Sequence, residues 1–540
     1  MDRIDSLARK VFKYKNGLRP AQRRAMDAVL AGENVFVILA TGGGKSVCYQ
    51  LPSLMVTGTV VVFSPLVALM KDQADKLEKW GVKSARLTSD MDDYYVRKTL
   101  RSIASLNILY VAPERLKSAD FVERLATSNI AFVAVDEAHC VSTWAQNFRP
   151  AFSLIGKTIQ RVFPSVPIMA LTATADPFVE KDVAKSLGLR EYTRVFVPPE
   201  RKNLNFTVVR EMEPERIAGY VAKKHRESGS GSAIIYDTSR ARVEQMNAFL
   251  RERWVESEAY HAGLPDDDRT RIQEAFMGDD IRVMSATNAF GMGIDKADVR
   301  TVFHASVPRS IVDYVQEAGR ASRDGKPAQC ILNITKKGIR SQRFFLRTQN
   351  PPFSAFEAVW NDVIAKHPVR TRFTLSTYDV RKALYTCGLS SFDVPFTVES
   401  VLGYMEYRGL LMRKTEKTVH TFLVVDRGAI LSVWRRKYPT NVRLVVGSDK
   451  VRVTLLPTDT DFTPKMVGDR AVERLPNGSP TVYYRAMRRS EDLTIDPDEL
   501  EEKREHDLAK FRDMLAFAEA PDKHRFIRQY FGVKDDSPSR

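Results

Sequence analysis

A glycine-rich run, Ala40-Thr-Gly-Gly-Gly-Lys-Ser46, follows directly on the apolar segment Val35–Leu39. Successive glycines let backbone N–H groups close around an anion, and a helix starting just after them adds its positive end. In such a loop Thr41, Gly42, Gly43 and Gly44 cradle phosphates, Lys45 reaches the outer phosphates, and Ser46 ligates Mg²⁺. The strict pattern also asks for glycine at position 39, where this chain has Leu39. A second group, Asp136-Glu-Ala-His139, stands at the end of the apolar run Ala131–Val135. An acid leaving a buried strand can hold Mg²⁺, a role for Asp136 beside Ser46, and the next acid, Glu137, can orient an attacking water. Each group alone has a plain alternative, a tight turn or an acidic helix start. Together in one α/β segment they point to ATP hydrolysis. A third group, Gln316-Glu-Ala-Gly-Arg-Ala-Ser-Arg-Asp-Gly325, places Arg320 and Arg323 three residues apart. Facing a phosphate loop, two guanidinium groups would neutralise charge developing on a transferred phosphoryl. In isolation this segment reads equally as a solvated basic turn.

The elements that must position these groups are short, β-branched apolar runs without a polar face, the pattern of parallel strands covered on both sides. Five lie in the first 200 residues: Val35–Leu39, Thr59–Phe63, Ile108–Val111, Ala131–Val135 and Ile168–Leu171. Four more follow: Ala233–Tyr236, Ile281–Met284, Thr301–His304 and Cys330–Ile334. Val197-Pro-Pro-Glu-Arg-Lys-Asn203 between the sets reads as a linker. Two α/β domains in tandem are expected, over 1–198 and 199–340. Beyond 340 the texture changes. Helices are predicted over Thr374–Leu389 and Thr397–Leu410, then a hairpin over Leu411–Val425, which is the order of a winged helix. This winged-helix-like α+β region is assigned to 341–490. The segment 491–540 is read as a helical hairpin, with Asp496 as cap, Pro497 at the first helical position and Leu508, Phe511, Leu515 and Ala518 on one face.

The 540 residues carry 83 Lys and Arg against 67 Asp and Glu, a formal charge of +16. With 44% hydrophobic and 28% charged residues, the chain is neither mostly disordered nor collagen-like. No run approaches the ~18 apolar residues of a membrane span. Met1–Asn16 lacks an apolar signal core, so a cytoplasmic or, in a eukaryote, nuclear protein is expected rather than a secreted one. The four cysteines are 57 or more residues apart, which supports neither a disulfide framework nor a cysteine zinc site. The basic balance fits a polyanion partner. Residues 331–540 contribute +9 of the net charge and the longer part before them +7, so the excess is denser late in the chain.

Read in order over Leu18 to Gly325, these motifs resemble those of superfamily 2 helicases, and specifically the RecQ family of DNA helicases. The resemblance implies two tandem RecA-like domains, ATP and Mg²⁺ as cofactors, and movement from 3′ to 5′ on single-stranded DNA. Leu18-Arg-Pro-Ala-Gln22 resembles the adenine-reading motif, with Arg19 and Gln22 on the base and Tyr14 placed to stack on it. Ser64-Pro-Leu-Val-Ala-Leu-Met-Lys-Asp-Gln73 and Tyr110-Val-Ala-Pro-Glu-Arg115 resemble strand-contacting motifs, so Ser64, and in the second domain Ser239 and Arg240, are implied DNA contacts. Thr172-Ala-Thr174 resembles the motif linking hydrolysis to movement, with His139 as a partner in coupling. In Ala286-Thr-Asn-Ala-Phe-Gly-Met-Gly-Ile-Asp295, Asp295 is implied at the ribose.

Cys140-Val-Ser-Thr-Trp-Ala-Gln-Asn-Phe-Arg-Pro150 resembles the family's aromatic-rich loop. Trp144 and Phe148 offer π faces to bases, and Arg149 offers charge to phosphate. Gln146 and Asn147 stand where the family has histidine and aspartate. Ala516-Phe-Ala-Glu-Ala520 with Arg525–Gly532 resembles the helices of the family's zinc module, but the cysteines are absent, so the hairpin is expected without zinc. Arg413, Lys414 and Lys417 on the expected wing, and Arg435, Arg436 and Lys437 beyond it, are candidate duplex contacts. The expected partners are single-stranded and duplex or forked DNA, with single-stranded-DNA-binding, repair or defence proteins besides, and no membrane. An RNA helicase or remodeller, and an ATP-gated DNA translocase or clamp that does not unwind strongly, remain open readings.

Overall fold

The protein's structure, a computed structural model, describes residues 3–14, 17–40, 42–65, 67–88, 91, 93–142, 152–173, 175–199, 201–227, 231–291, 296–367, 372–373, 375, 377–390, 393–415, 421–424, 442–446, 451–455, 472–474, 482–486, 493 and 495–533. The chain divides into two compact units, one of residues 1–346 with 502–540 and the other of residues 347–501.

In the first unit, strands β1 (Val35–Ile38), β2 (Thr59–Phe63), β3 (Ser84–Leu87), β4 (Ile108–Val111), β5 (Ile130–Val135), β6 (Ile168–Thr172) and β7 (Thr193–Phe196) form one parallel sheet in the order β3-β4-β2-β5-β6-β1-β7. The central strands are buried along their whole length because helices cover both faces. A second parallel sheet follows, from β8 (Leu204–Arg210), β9 (Ser232–Tyr236), β10 (Ser257–Tyr260), β11 (Val283–Ala286), β12 (Val299–His304) and β13 (Ala328–Ile334), in the order β10-β11-β9-β12-β13-β8. The nine expected strands are all present. One is displaced: β11 begins at Val283 rather than Ile281, because Ile281 still bonds back to Ala275 at the end of the preceding helix. The carboxyl ends of four neighbouring strands, β2, β5, β6 and β1, bring Ser64, Asp136, Thr172 and the glycine loop to one edge of the first sheet. Open α/β sheets bind their ligands at that edge.

The terminal hairpin is formed by the helices Pro497–Glu519 and Lys523–Tyr530. Asp496 caps the first, its carboxylate accepting the Asp498 N–H at 2.9 Å. The buried face differs from the expected one. Met514 and Phe517 are fully buried beside Phe511 and Ala518, while Leu508 and Leu515 are only partly covered. Phe517 packs on Tyr314 and Phe206, so the hairpin completes the core of the second sheet.

The second unit has its own core around Phe356, Trp360, Leu384, Val401 and Met405. The helix Thr377–Thr386 lies inside its expected stretch with shorter ends, while Val394–Tyr407 begins three residues earlier than expected and ends three earlier. Among the described residues of the expected hairpin over Leu411–Val425, Leu411–Thr415 does not pair with Thr421–Val424. β15 (Leu411–Thr415) pairs with β20 (Val482–Ala486), which also pairs with β14 (Arg372–Phe373). β16 (Thr421–Val424) instead joins a separate antiparallel sheet with β17 (Val442–Val446), β18 (Val451–Leu455) and β19 (Val472–Arg474). An alternating pattern marks a strand but not the strand it meets. Two helices and the three-stranded sheet β14-β20-β15 are therefore among the described elements of this unit, with the strands of the four-stranded sheet falling between β15 and β20 in the chain.

Candidate active site

The glycine loop leaves β1 where Leu39 N–H bonds Thr172 O at 3.1 Å. Gly42 and Gly44 take left-handed φ values of 78° and 77°. Such values cost a side-chain-bearing residue roughly 1–2 kcal/mol. A Cβ on Gly44 would also collide with the Gln22 amide. Gln22 is buried and holds the loop rather than standing free: its Nε2 donates to Gly43 O at 2.9 Å, and its Oε1 accepts Arg19 N–H at 2.9 Å. The Tyr14 hydroxyl lies beside Gly44 as well. The implied base-reading group and the phosphate loop are thus one hydrogen-bonded piece.

Lys45 Nζ lies 3.8 Å from Glu137 Oε1, both side chains being largely covered. Glu137 lies two residues beyond the end of β5 and holds φ at 48°, a sparsely populated conformation of the kind kept at functional sites. Burial, and then the Glu137 carboxylate, push the Asp136 carboxyl up to about 7. For Glu137 burial acts upward too, but the charges of Lys45, His139 and Arg320 prevail and hold it low. Ser46 and Asp136 suit Mg²⁺, which prefers oxygen ligands and would keep a buried carboxyl ionised. His139 is held below its ordinary value, chiefly by burial. Its Nδ1 lies 2.9 Å from Thr172 Oγ1, so the implied coupling pair is in contact.

The segment with Arg320 and Arg323 faces this loop from the second sheet. A methyl replacing the Gly42 hydrogen would meet the Arg323 side chain at 3.8 Å. Arg320 is buried, donates to Gly291 O, and lies near enough to Glu137 to lower its pKa. A cavity of about 620 Å³ opens between Arg19, Gln22, Gly42, Arg201, Asn203 and Arg323. Arg201 and Asn203 were not singled out by sequence reasoning. Their only signal there was membership of a polar linker.

Among the implied DNA contacts, Ser64 is buried at the end of β2, its N–H bonded to Val111 O at 3.3 Å. Ser239 begins the helix Arg240–Arg251 after β9, and Arg240 is exposed. Arg413 and Lys414 lie on β15, opposite Tyr484 and Tyr483 of β20. Thr41, Trp144, Gln146, Asn147, Phe148, Arg149, Thr174, Asp295, Lys417, Arg435, Arg436 and Lys437 lie outside the described residues.

The DEAD/DEAH box helicase family matches residues 19–182 and the helicase conserved C-terminal domain matches residues 215–325. The chain is 39% identical over 350 residues to the ATP-dependent DNA helicase RecQ of Bacillus subtilis, covering 64% of this chain and 58% of that protein. It is 41% identical over 326 residues to the RecQ of Pasteurella multocida, covering 60% and 50%. The ATP-dependent helicase SGS1 of Saccharomyces cerevisiae is 37% identical over 349 residues, covering 63% and 24%. The chain thus spans about half the length of the bacterial relatives it matches. In fold it resembles the helicase MrfA bound to DNA and AMPPNP, with a TM-score of 0.54 at 20% identity over 64% of this chain and 53% of that one. It also resembles the DEAD-box helicase Mss116 bound to single-stranded RNA, with a TM-score of 0.52 at 19% identity over 76% and 88%. Residues 19–325 thus carry the two domains of a DEAD/DEAH-type helicase core, and over that core the chain is similar to the RecQ DNA helicases.

Proposed function

We propose that the protein is an ATP-dependent DNA helicase, in which ATP hydrolysis drives movement along one DNA strand, 3′ to 5′, and separation of its partner strand. The carrying observation is the cleft itself. Lys45 and Glu137 lie on one wall, and Arg323 lies against Gly42 from the other. In this reading Lys45 binds the outer phosphates, Glu137, held ionised, orients the attacking water and takes its proton, and the two arginines offset charge building on the phosphoryl. Mg²⁺, held by Ser46 and Asp136, would neutralise phosphate charge. Arg19, Gln22 and Tyr14 would hold the base and Asp295 the ribose.

Hydrolysis followed by release of the cleaved phosphate removes an anion that draws both walls together, so the two sheets separate and reclose with each turnover. The His139–Thr172 contact passes that change from the acids to the end of β6. Ser64, Arg240 and the Trp144–Arg149 loop would follow the single strand, and the basic residues of the second unit the duplex. Forked DNA is the substrate this arrangement fits, with single-stranded-DNA-binding and repair proteins as partners and the nucleoid or nucleus as location. The homology to DNA helicases over the whole core favours DNA over RNA. Lys45→Ala should abolish DNA-stimulated ATP hydrolysis while the fold persists. Normal turnover in that variant, or stimulation by RNA alone, would sink the assignment.

A further inference from the structure

The segment between the two sheets is held at both ends by parts of the cleft. At its start, Val197 N–H donates to Ile38 O at 3.0 Å, at the end of the strand that feeds the phosphate loop. At its finish, Arg201 and Asn203 grip the loop that carries the two arginines. Arg201 Nη1 donates to Gly319 O at 2.9 Å, and Nη2 donates to Ser322 O. Asn203 Nδ2 lies 2.9 Å from Ser322 Oγ, 3.2 Å from Ser322 O and 3.1 Å from Lys326 O. The bonded carbonyls at positions 319 and 322 each directly precede an arginine, Arg320 and Arg323. The gripped residue is itself under constraint, because Ser322 holds φ at 48° with its N–H on Val299 O. Sparsely populated backbone of this kind persists only where its surroundings over-determine it.

We propose that Arg201 and Asn203 are positioning residues for hydrolysis, fixing the loop Gly319–Lys326 so that Arg323 meets the phosphate loop. The inference rests on the proposed role of Arg320 and Arg323 as charge-neutralising groups. Two features favour positioning over passive connection. Arg201 spends its planar fork on two carbonyls of one loop, a geometry that fixes orientation as well as distance. Both residues also line the cavity that Gly42 and Arg323 share. Burial and the nearby charges of Arg323 and Arg19 hold the Arg201 guanidinium below its usual pKa, as expected where cations converge on a site for an anion.

A misplacement of the arginines by about an ångström is expected to lower turnover on the order of 10²-fold. The test is steady-state ATP hydrolysis with saturating DNA on the full chain, for Arg201→Ala, Arg201→Lys, Asn203→Ser, Arg323→Ala and the pair Arg201→Ala/Arg323→Ala. Thermal melting of each variant reports folding. Arg201→Ala should lower kcat by about 30-fold or more, with KM for ATP within about threefold. Arg201→Lys should recover only part of the loss, since one ammonium cannot grip both carbonyls in a plane. In the Arg323→Ala background, Arg201→Ala should add less than about threefold, because both changes act on one step. Independent, multiplying effects would overturn the inference, as would a rise in KM with kcat unchanged. If Arg323→Ala is inactive while Arg201→Ala, Arg201→Lys and Asn203→Ser turn over normally, this inference alone is lost. Normal turnover in Arg323→Ala would remove the underlying reading and this inference with it.

Discussion

The terminal helix Pro497–Glu519 joins the two halves of the helicase core, and its electrostatic anchor can be tested directly. Asp176, four residues beyond Thr172, caps the helix Pro177–Leu187 by accepting Val179 N–H at 2.9 Å through Oδ1. Its Oδ2 lies 3.1 Å from Lys510 Nζ and 3.6 Å from His506 Nε2. Asp176 and Lys510 are 8% and 7% exposed, so water screens the pair little. Asp176→Asn keeps an oxygen for the cap but leaves the Lys510 ammonium buried without this counter-charge. Removing one member of a buried pair costs about 3–5 kcal/mol. The charge of Asp313 also reaches Lys510, which argues for the lower end. At 1.4 kcal/mol per tenfold, a loss of about 3 kcal/mol raises opening of the helix roughly a hundredfold. Native-state amide exchange over Pro497–Glu519 reads that opening. Replacing both partners by Asn and Met should restore most of the protection, since an apolar pair of similar volume avoids the stranded charge. Exchange in Asp176→Asn within about threefold of the wild type would refute the reasoning.

The same carboxylate sets a pH dependence. Burial acts to raise the Asp176 pKa, but the adjacent His506 side chain and the Lys510 charge outweigh it and hold the group well below the usual range. A depressed folded value contributes stability that is complete above the unfolded pKa of about 3.9 and is lost as pH falls below it. Melting midpoints of the wild type and Asp176→Asn should therefore differ by a constant amount down to about pH 4 and converge only as the pH falls further. Gly44→Ala should displace the Gln22 amide from the loop and lower kcat/KM for ATP by more than about tenfold, with the melting midpoint lowered by only a few degrees, as a strain of about 1–2 kcal/mol implies; ATP hydrolysis and melting measured side by side check it. Phe517→Ala empties a fully buried site between Tyr314 and Phe206 and should cost about 3–5 kcal/mol, visible as an earlier first melting transition. Metal analysis of the purified chain should find no tightly held zinc, and one ion per chain would contradict that expectation.

The strands that pattern reading found and missed separate along a physical line. Those found are all interior strands of the two sheets, β13 included, with apolar runs buried on both faces. The four not read from the sequence, β3, β7, β8 and β10, are the edges of the two sheets. An edge strand such as Leu204–Arg210 is half-exposed, so polar residues interrupt the apolar run that marks its neighbours. The glycine loop, the acid pair and the arginine segment were legible because phosphate chemistry restricts residue type at fixed spacing. The grip of Arg201 and Asn203 on residues 319–326 was not, since it spans about 120 residues and leaves no local pattern. The partner of β15 was hidden for the same reason: β20 lies some 70 residues further on. For the terminal helix, periodicity identified one apolar stripe, whereas the helix buries Asp507 and Lys510 as well as Phe511 and Met514. The buried Lys510 is matched by its ion pair with Asp176, a partner more than 300 residues away that no helical pattern encodes.

The central claim is that opening and closing of the Lys45–Arg323 cleft drives separation of DNA strands. Strand displacement on 3′-tailed, 5′-tailed and forked DNA, with ATP, without it, and with Lys45→Ala, tests this most directly. The account predicts release of the displaced strand from 3′-tailed and forked DNA only with ATP, and none with Lys45→Ala. ATP hydrolysis stimulated by DNA with no strand released from any substrate would contradict it, leaving a motor or clamp that does not unwind.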